Sequence, residues 1–386
     1  MKKFLYTITF LFAGCSAYSQ KLSGQKAKEI AASYLRTAIA AYKKQAVADW
    51  NDSAIHYHGY AMKFFSKTFG NALFGKRSLY ISLHGGGNAP AAVNDQQWEN
   101  QKRLYAPAEG VYLVPRAPTN TWNLWHETHI DAMLSTIIKD AVVFEGVDPN
   151  KVYILGYSAG GDGLYQLAPR MAGYWAAASM MAGHPGDASP LSLRNLPFSI
   201  FAGGNDSAYN RNNLARLWGK MLDSLQATDT NGYVHVLHVY DGLGHWMLRK
   251  DTIAIAWMAQ FTRNPLPAKV VWVQDDRIHD NFYWLGTDTS QTKAGDKAVV
   301  SLDKNDNEIV IEQNTFNTLY LYLNDDMLDL NKKITIIQNG KKLFEGKLKR
   351  SENIIKNSID KRLDPNMIFY SGIKIENSEV TTNLRI

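Results

Sequence analysis

Residues Tyr153–Asp162 read YILGYSAGGD, and within them Gly156-Tyr157-Ser158-Ala159-Gly160 follows an apolar, β-forming run and opens into a helical pattern. A serine with glycine two residues to either side, at a strand-to-helix junction, predicts a sharp turn that exposes the Ser158 hydroxyl. The turn is tight enough that side chains at the flanking positions would clash, and Gly156 and Gly160 remove them. It ends at the start of a helix, where free N–H groups gather. The Ala159 N–H is therefore expected to face any negative charge that develops beside Ser158.

Outward from this stretch, the chain alternates between strand and helix patterns. Strands are expected at Arg77–Leu83, Gly110–Pro115, Val152–Leu155, Ala176–Met181, Phe198–Ala202 and Tyr233–Tyr240, with a short strand or hairpin at Ile55–Phe65. Helices are expected at Leu124–Phe144, after Ser158, at Leu214–Leu225 and at Met247–Phe261, preceded by an amphipathic helix over Gln25–Ala46. Strands and helices at this spacing predict βαβ units, hence an α/β fold with a mostly parallel sheet covered on both faces. Ligand sites of such sheets lie at the carboxyl ends of the strands. Gly85, Ser158, His184, Asp206 and His245 all fall just after predicted strands.

A serine hydroxyl needs a base, a group that orients the base, and donors for the oxyanion. In chain order the partners expected of such an elbow are an acid and then a histidine. Asp206 follows a strand in FAGGND and His245 sits in GLGHW after the last strand, 48 and then 39 residues on. The expected roles are Ser158 as nucleophile, His245 as general base and acid, and Asp206 as orienting acid, with Asp187 and Asp241 as rivals for the acid. Oxyanion donors are expected from the N–H groups of Ala159, Gly85 and Gly86. His84, Trp122, Trp125, His184 and Trp246 are candidates for lining the substrate site, where an aromatic face stacks a sugar or aryl ring. Asp162 is assigned to the first turn of its helix.

From Lys269 onward the pattern shifts to short alternating strands, with one helix at Asn353–Lys361 and a hairpin turn at Asn339-Gly340, which predicts an antiparallel β-sandwich. Thr262–Pro267, with two prolines, stops the preceding helix and marks a linker. Asn324, Asp325, Asp326 and Asp329 lack the glycine and glutamate of a calcium loop and read as a solvated turn. No zinc-like spacing or phosphate loop is present, so no metal and no cofactor are expected.

Residues 1–19 carry Lys2 and Lys3, an apolar run from Phe4 to Ala13 and then small residues, the pattern of a secretory signal peptide. Cleavage after Ser19 gives a soluble secreted or periplasmic protein; lipidation of Cys15 gives a lipid-anchored one. Cys15 is the one cysteine of the sequence, so the remainder is expected to hold no disulfide. The formal charge of +6 falls to +4 without Lys2 and Lys3, and no basic block interleaves with aromatics, which excludes a nucleic-acid face.

Residues from about 77 to 262 resemble a secreted α/β-hydrolase of the esterase and polyhydroxybutyrate-depolymerase-like group, through LHGGG at 83–87, GYSAGGD at 156–162, GGND at 203–206 and GLGHW at 242–246. The resemblance implies an acyl-enzyme hydrolase of carboxylic esters, with substrates in the group ranging over polyesters, aryl and acetyl esters of plant polysaccharides, and peptides. A serine peptidase of the same fold, and a silent polysaccharide-binding or surface protein, are the alternatives. The expected division is 1–19 signal peptide, 20–54 helix and lead-in, 55–263 catalytic domain, 264–268 linker and 269–386 sandwich-like accessory domain.

Overall fold

The structure, a computed structural model, describes residues 22–382 and 384. The expected signal peptide and Cys15 lie outside these residues.

Helix α1 (Gly24–Asp52) is capped by the Ser23 hydroxyl and leads into the hairpin β1 (Ala54–Tyr57) and β2 (Tyr60–Phe69). Then come β3 (Arg77–Leu83), α2 (Ala91–Gln101), β4 (Gly110–Pro115), α3 (Ile130–Asp140), β5 (Val147–Tyr157), α4 (Ala159–Arg170), β6 (Ala177–Met181), β7 (Phe198–Gly203), α5 (Arg211–Thr228), β8 (His235–Tyr240) and α6 (Ile253–Met258). These strands form one eight-stranded sheet in the order β1-β2-β4-β3-β5-β6-β7-β8, antiparallel through β1, β2 and β4 and parallel from β4 through β8. This is the α/β-hydrolase arrangement.

Side-chain alternation along the strands splits the core into two layers. On β3 and β5, Leu79, Ile81, Leu83 and Ile154 face one layer, with α3, α4 and α5; Tyr80, Tyr153 and Leu155 face the other, with α6. Burial on both faces is what makes these strands read as unbroken apolar runs.

The rest of the chain is β9 (Lys269–Val273), β10 (Asn281–Phe282), β11 (Leu285–Thr287), β12 (Lys297–Asp303), β13 (Glu308–Asn314), β14 (Thr318–Leu323), β15 (Ile334–Gln338), β16 (Lys341–Gly346), α7 (Glu352–Arg362), β17 (Ser371–Glu376) and β18 (Glu379–Thr381). Two five-stranded sheets result, β10-β11-β14-β17-β18 and β16-β15-β13-β12-β9. The second departs from the all-antiparallel expectation, because β13 and β15 run parallel. At the expected hairpin, Asn339 (φ 51°) and Gly340 (φ 72°) both take the left-handed turn conformation between β15 and β16. Trp272 and Phe282 stack from sheet to sheet at 5.9 Å.

The α/β sheet and this region share one apolar cluster. Arg263 is buried where they meet, donating to Asp364 at 2.5 Å, to the Gly173 carbonyl at 2.8 Å and to Asn150 at 2.8 Å. Within 264–268, the Pro267 carbonyl accepts from the buried Trp284 indole. The Asn324 turn is a structural one rather than solvated: Asn324 is buried and accepts from two backbone N–H groups, while Asp325 pairs with Arg350. No described helix is long and apolar enough to cross a membrane.

Candidate active site

Ser158 stands between β5 and α4 with φ 57° and ψ −120°, a strained conformation for a residue with a side chain. Two backbone bonds hold it there: Ser158 N–H to the Met181 carbonyl at 2.9 Å and Asp162 N–H to the Ser158 carbonyl at 2.9 Å. The flanking glycines are required as expected, since a Cβ at Gly156 would lie 2.2 Å from the Gly160 oxygen and one at Gly160 would lie 2.3 Å from the Leu83 oxygen.

The acid and histidine loops pack on one another through a second glycine contact. A Cβ at Gly203 would sit 2.1 Å from the Gly244 oxygen, and Asn205 N–H donates to the Leu243 carbonyl. The result brings His245 Nδ1 to 2.8 Å from Asp206 Oδ2 and His245 Nε2 to 2.9 Å from Ser158 Oγ. With ionised Asp206 as acceptor, Nδ1 carries the proton and Nε2 is free to accept from the serine hydroxyl. The two rivals lie elsewhere: Asp187 accepts from Gln166, and exposed Asp241 faces Arg216. Asp206 is 2% exposed at its side chain, whereas the His245 side chain is 42% exposed.

Gly85 abuts Ser158, because a Cβ there would come within 3.1 Å of Ser158 Cβ. The glycine loop is fixed from α2 by the fully buried Asn94, which accepts from Gly87 N–H at 2.8 Å and donates to the Ala89 carbonyl and to Asn120. With Gly87 N–H engaged, the N–H groups of Gly85, Gly86 and Ala159 remain the candidate oxyanion donors.

Two expected substrate-lining residues belong to the scaffold instead. His84 and Trp125 are both fully buried; the Trp125 indole donates to the His84 carbonyl at 2.8 Å. His84 Nε2 accepts from Ala117 N–H, so the ring proton sits on Nδ1 and points at the Gly85 carbonyl. Burial holds this imidazole neutral and pushes its pKa down to about 4. By contrast Trp122 and Trp246 are 53% and 48% exposed; Trp246 leans on Tyr157 at 5.9 Å and Trp122 on exposed Tyr209 at 5.8 Å. The His184 N–H is bonded to Asp162 Oδ1, and the Asp162 pKa is raised by burial.

Three contributors escaped the sequence reading. Tyr157 occupies a variable position of the motif, yet its hydroxyl donates to the His245 carbonyl at 2.7 Å and accepts from Met247 N–H, tying the elbow to the histidine loop. Asn94 sits on α2, an element not expected at all. Arg211 opens α5 with Nη1 4.0 Å from Asp206 Oδ1; a basic residue five positions after the acid was the available signal.

No family model matches the chain, and no curated protein does. Among solved structures, the chain is similar to a thermostable esterase at 18% identity and TM-score 0.41, over 55% of this chain and 64% of that one. It is also similar to esterase 2 of Thermogutta terrifontis at 18% identity and TM-score 0.36, over 53% of this chain and 88% of that one. Est1E from Butyrivibrio proteoclasticus gives 13% identity and TM-score 0.34, over 54% of this chain and 95% of that one. The chain thus covers a little under two thirds of the length of the first of these.

Proposed function

We propose that the chain is a serine carboxylic-ester hydrolase that works through an acyl-enzyme on Ser158. The observation that carries this reading is His245, bridging Ser158 Oγ at 2.9 Å and Asp206 Oδ2 at 2.8 Å across a strained elbow. His245 Nε2 takes the hydroxyl proton as Oγ bonds to the ester carbonyl carbon. The carbonyl oxygen, now negative, receives N–H bonds from Ala159, Gly85 and Gly86, each donor contributing about 3 kcal/mol to the barrier reduction.

As the intermediate collapses, the ester C–O bond breaks and His245 returns the proton to the departing alcohol. Water then repeats the cycle against the acyl-serine, with His245 as its base, and releases the acid. Asp206 stays ionised throughout, holding the tautomer and offsetting the charge on the imidazolium. The base stands at the surface, with the His245 side chain 42% exposed and the exposed Trp246 next to it in the chain, which supports an ester on a bulky, polymeric or polysaccharide-linked substrate.

The test is a fluorophosphonate probe, read by intact mass and peptide mapping on the parent and on Ser158→Ala. One adduct on Ser158, with a folded variant whose aryl-ester turnover drops by about a thousandfold or more, is the expected result. A folded parent that takes no adduct overturns the reading, and amide cleavage exceeding ester cleavage moves it to a peptidase.

A further inference from the structure

We propose that Arg211 is a positioning residue for Asp206 and that Tyr209 shields this pair from water. The inference rests on the reading of Ser158, His245 and Asp206 as a catalytic set.

The Asp206 carboxylate spends Oδ2 on His245, and its other oxygen, Oδ1, faces Arg211 Nη1 at 4.0 Å. That separation is too long for a hydrogen bond, so the coupling is one of charge. It acts where water is scarce, with side-chain exposures of 2% for Asp206 and 9% for Arg211, and charge interactions there are screened far less than at the surface. Arg211 Nε is buried with no partner among the described residues. A buried cation left short of hydrogen bonds is a poor choice for stability alone.

The cover over this pair is built by the backbone. Tyr209 (φ 54°) and Asn210 (φ 59°) are consecutive residues, neither of them glycine, in the left-handed region. The reversal carries the Tyr209 ring back over the guanidinium, with a centroid 4.7 Å from Cζ. Asn212 holds the loop shut from α5, its N–H bonded to the Asp206 carbonyl and its side chain to the Gly204 carbonyl. Tyr209 is 62% exposed on its outer side, so it serves at once as the outer wall of the ion pair and as part of the rim beside Trp122.

His245 is faced by Asp206 from the acid loop, by Asp162 and the Tyr157 ring edge from the elbow and α4, and, through Asp206, by Arg211 from α5. His184, after β6, also stands near Asp162. Arg211 has two opposed effects in that set. It keeps Asp206 an anion of fixed orientation, and its positive charge works against the imidazolium.

Removing it therefore lowers kcat through a loosened acid and moves the acid limb of the kcat/KM profile to higher pH, since the imidazolium is no longer opposed. The experiment compares the parent chain, Arg211→Met, Arg211→Lys and Tyr209→Ala on a soluble aryl ester across the acid limb, with unfolding curves for each. Arg211→Met is expected to lose roughly tenfold or more in kcat and to shift the limb upward by roughly half a unit or more. Arg211→Lys restores part of both. Tyr209→Ala shifts the limb the same way by less, because entering water screens the pair.

If Arg211→Met fails to fold, the limb positions of the other two variants decide. Profiles that superimpose on the parent, with only stability or KM altered, overturn the proposal. Phosphonate labelling of the parent separates the failures: a labelled Ser158 with unmoved profiles sinks the role of Arg211 alone, whereas an unlabelled Ser158 sinks the reading beneath it.

Discussion

The acid at the site and the acid at the seam are both buried carboxylates beside an arginine, and they are built to opposite ends. At the seam, Asp364 and Arg263 touch at 2.5 Å, and Arg263 spends its remaining donors on Gly173, Asn150 and Met367 Sδ. Burial pushes the Asp364 carboxyl up, but Arg263 and the Asn366 N–H outweigh it and hold the pKa below the ordinary value. At the site, Asp206 keeps Arg211 at 4.0 Å and gives its close contact to a histidine that stands partly in water. A saturated pair locks two parts of the chain together, while an unsaturated one leaves a charge available to respond to a proton on its neighbour.

Breaking the seam is expected to have the larger effect on stability. Arg263→Met leaves Asp364 charged and unpaired in the interior, which costs about 3–5 kcal/mol. Denaturant unfolding checks this, and because one apolar cluster spans both parts, the loss is expected in a single transition. Turnover per phosphonate-titrated site, measured well below that transition, stays as in the parent. A variant that unfolds in two separate steps would break the comparison.

The second effect sharpens it with acid. His84 supports the glycine loop only while neutral, with a folded pKa of about 4 against an ordinary 6.5. The depressed value means that its contribution is fully present above the ordinary value and is lost as pH falls from there towards the folded one. The loss totals about 3 kcal/mol. Melting temperature followed over that range falls in the parent, and its slope flattens in His84→Gln, which has nothing to titrate there.

The smallest effect is expected at the rim. Trp246→Ala removes a half-exposed ring that leans on Tyr157 without hydrogen-bonding to it, while Tyr157 stays fixed by its own bonds to the histidine loop, so stability changes by less than about 0.5 kcal/mol. For an aryl ester KM rises roughly threefold while kcat moves by less than about twofold. A large kcat loss would show that the ring holds His245 rather than substrate.

How much of this was legible in the sequence follows from what each residue touches. Ser158, Asp206 and His245 are announced by the glycines around them, because close backbone approach leaves a mark in the chain itself. Their supporters leave none. Tyr157 works through a hydroxyl that reaches a loop 88 residues on. Asn94 sits on α2, whose weak apolar stripe and proline cap carry little helix signal. His84 precedes a glycine loop and Trp125 follows a strand end, which makes both candidates for lining; a place near a motif or a strand end does not reveal whether a side chain points up to solvent or down into the core. The parallel pairing of β13 with β15 is likewise invisible locally, since a strand pattern records alternation and not its partner.

Helix α1 also bears on the order in which the molecule assembles. It packs against α7, and the Tyr34 hydroxyl donates to Asp360, a contact spanning 326 residues. Helix α1 is thus among the first of the described elements to leave the ribosome, and its partner is among the last. Before α7 is made, the Tyr34 end of α1 lacks that partner, whereas its other end already has Asp140 for the Tyr42 hydroxyl and Phe64 and Phe144 for Trp50. Chains halted before α7 are therefore expected to leave only the Tyr34 end of this helix open to a chaperone.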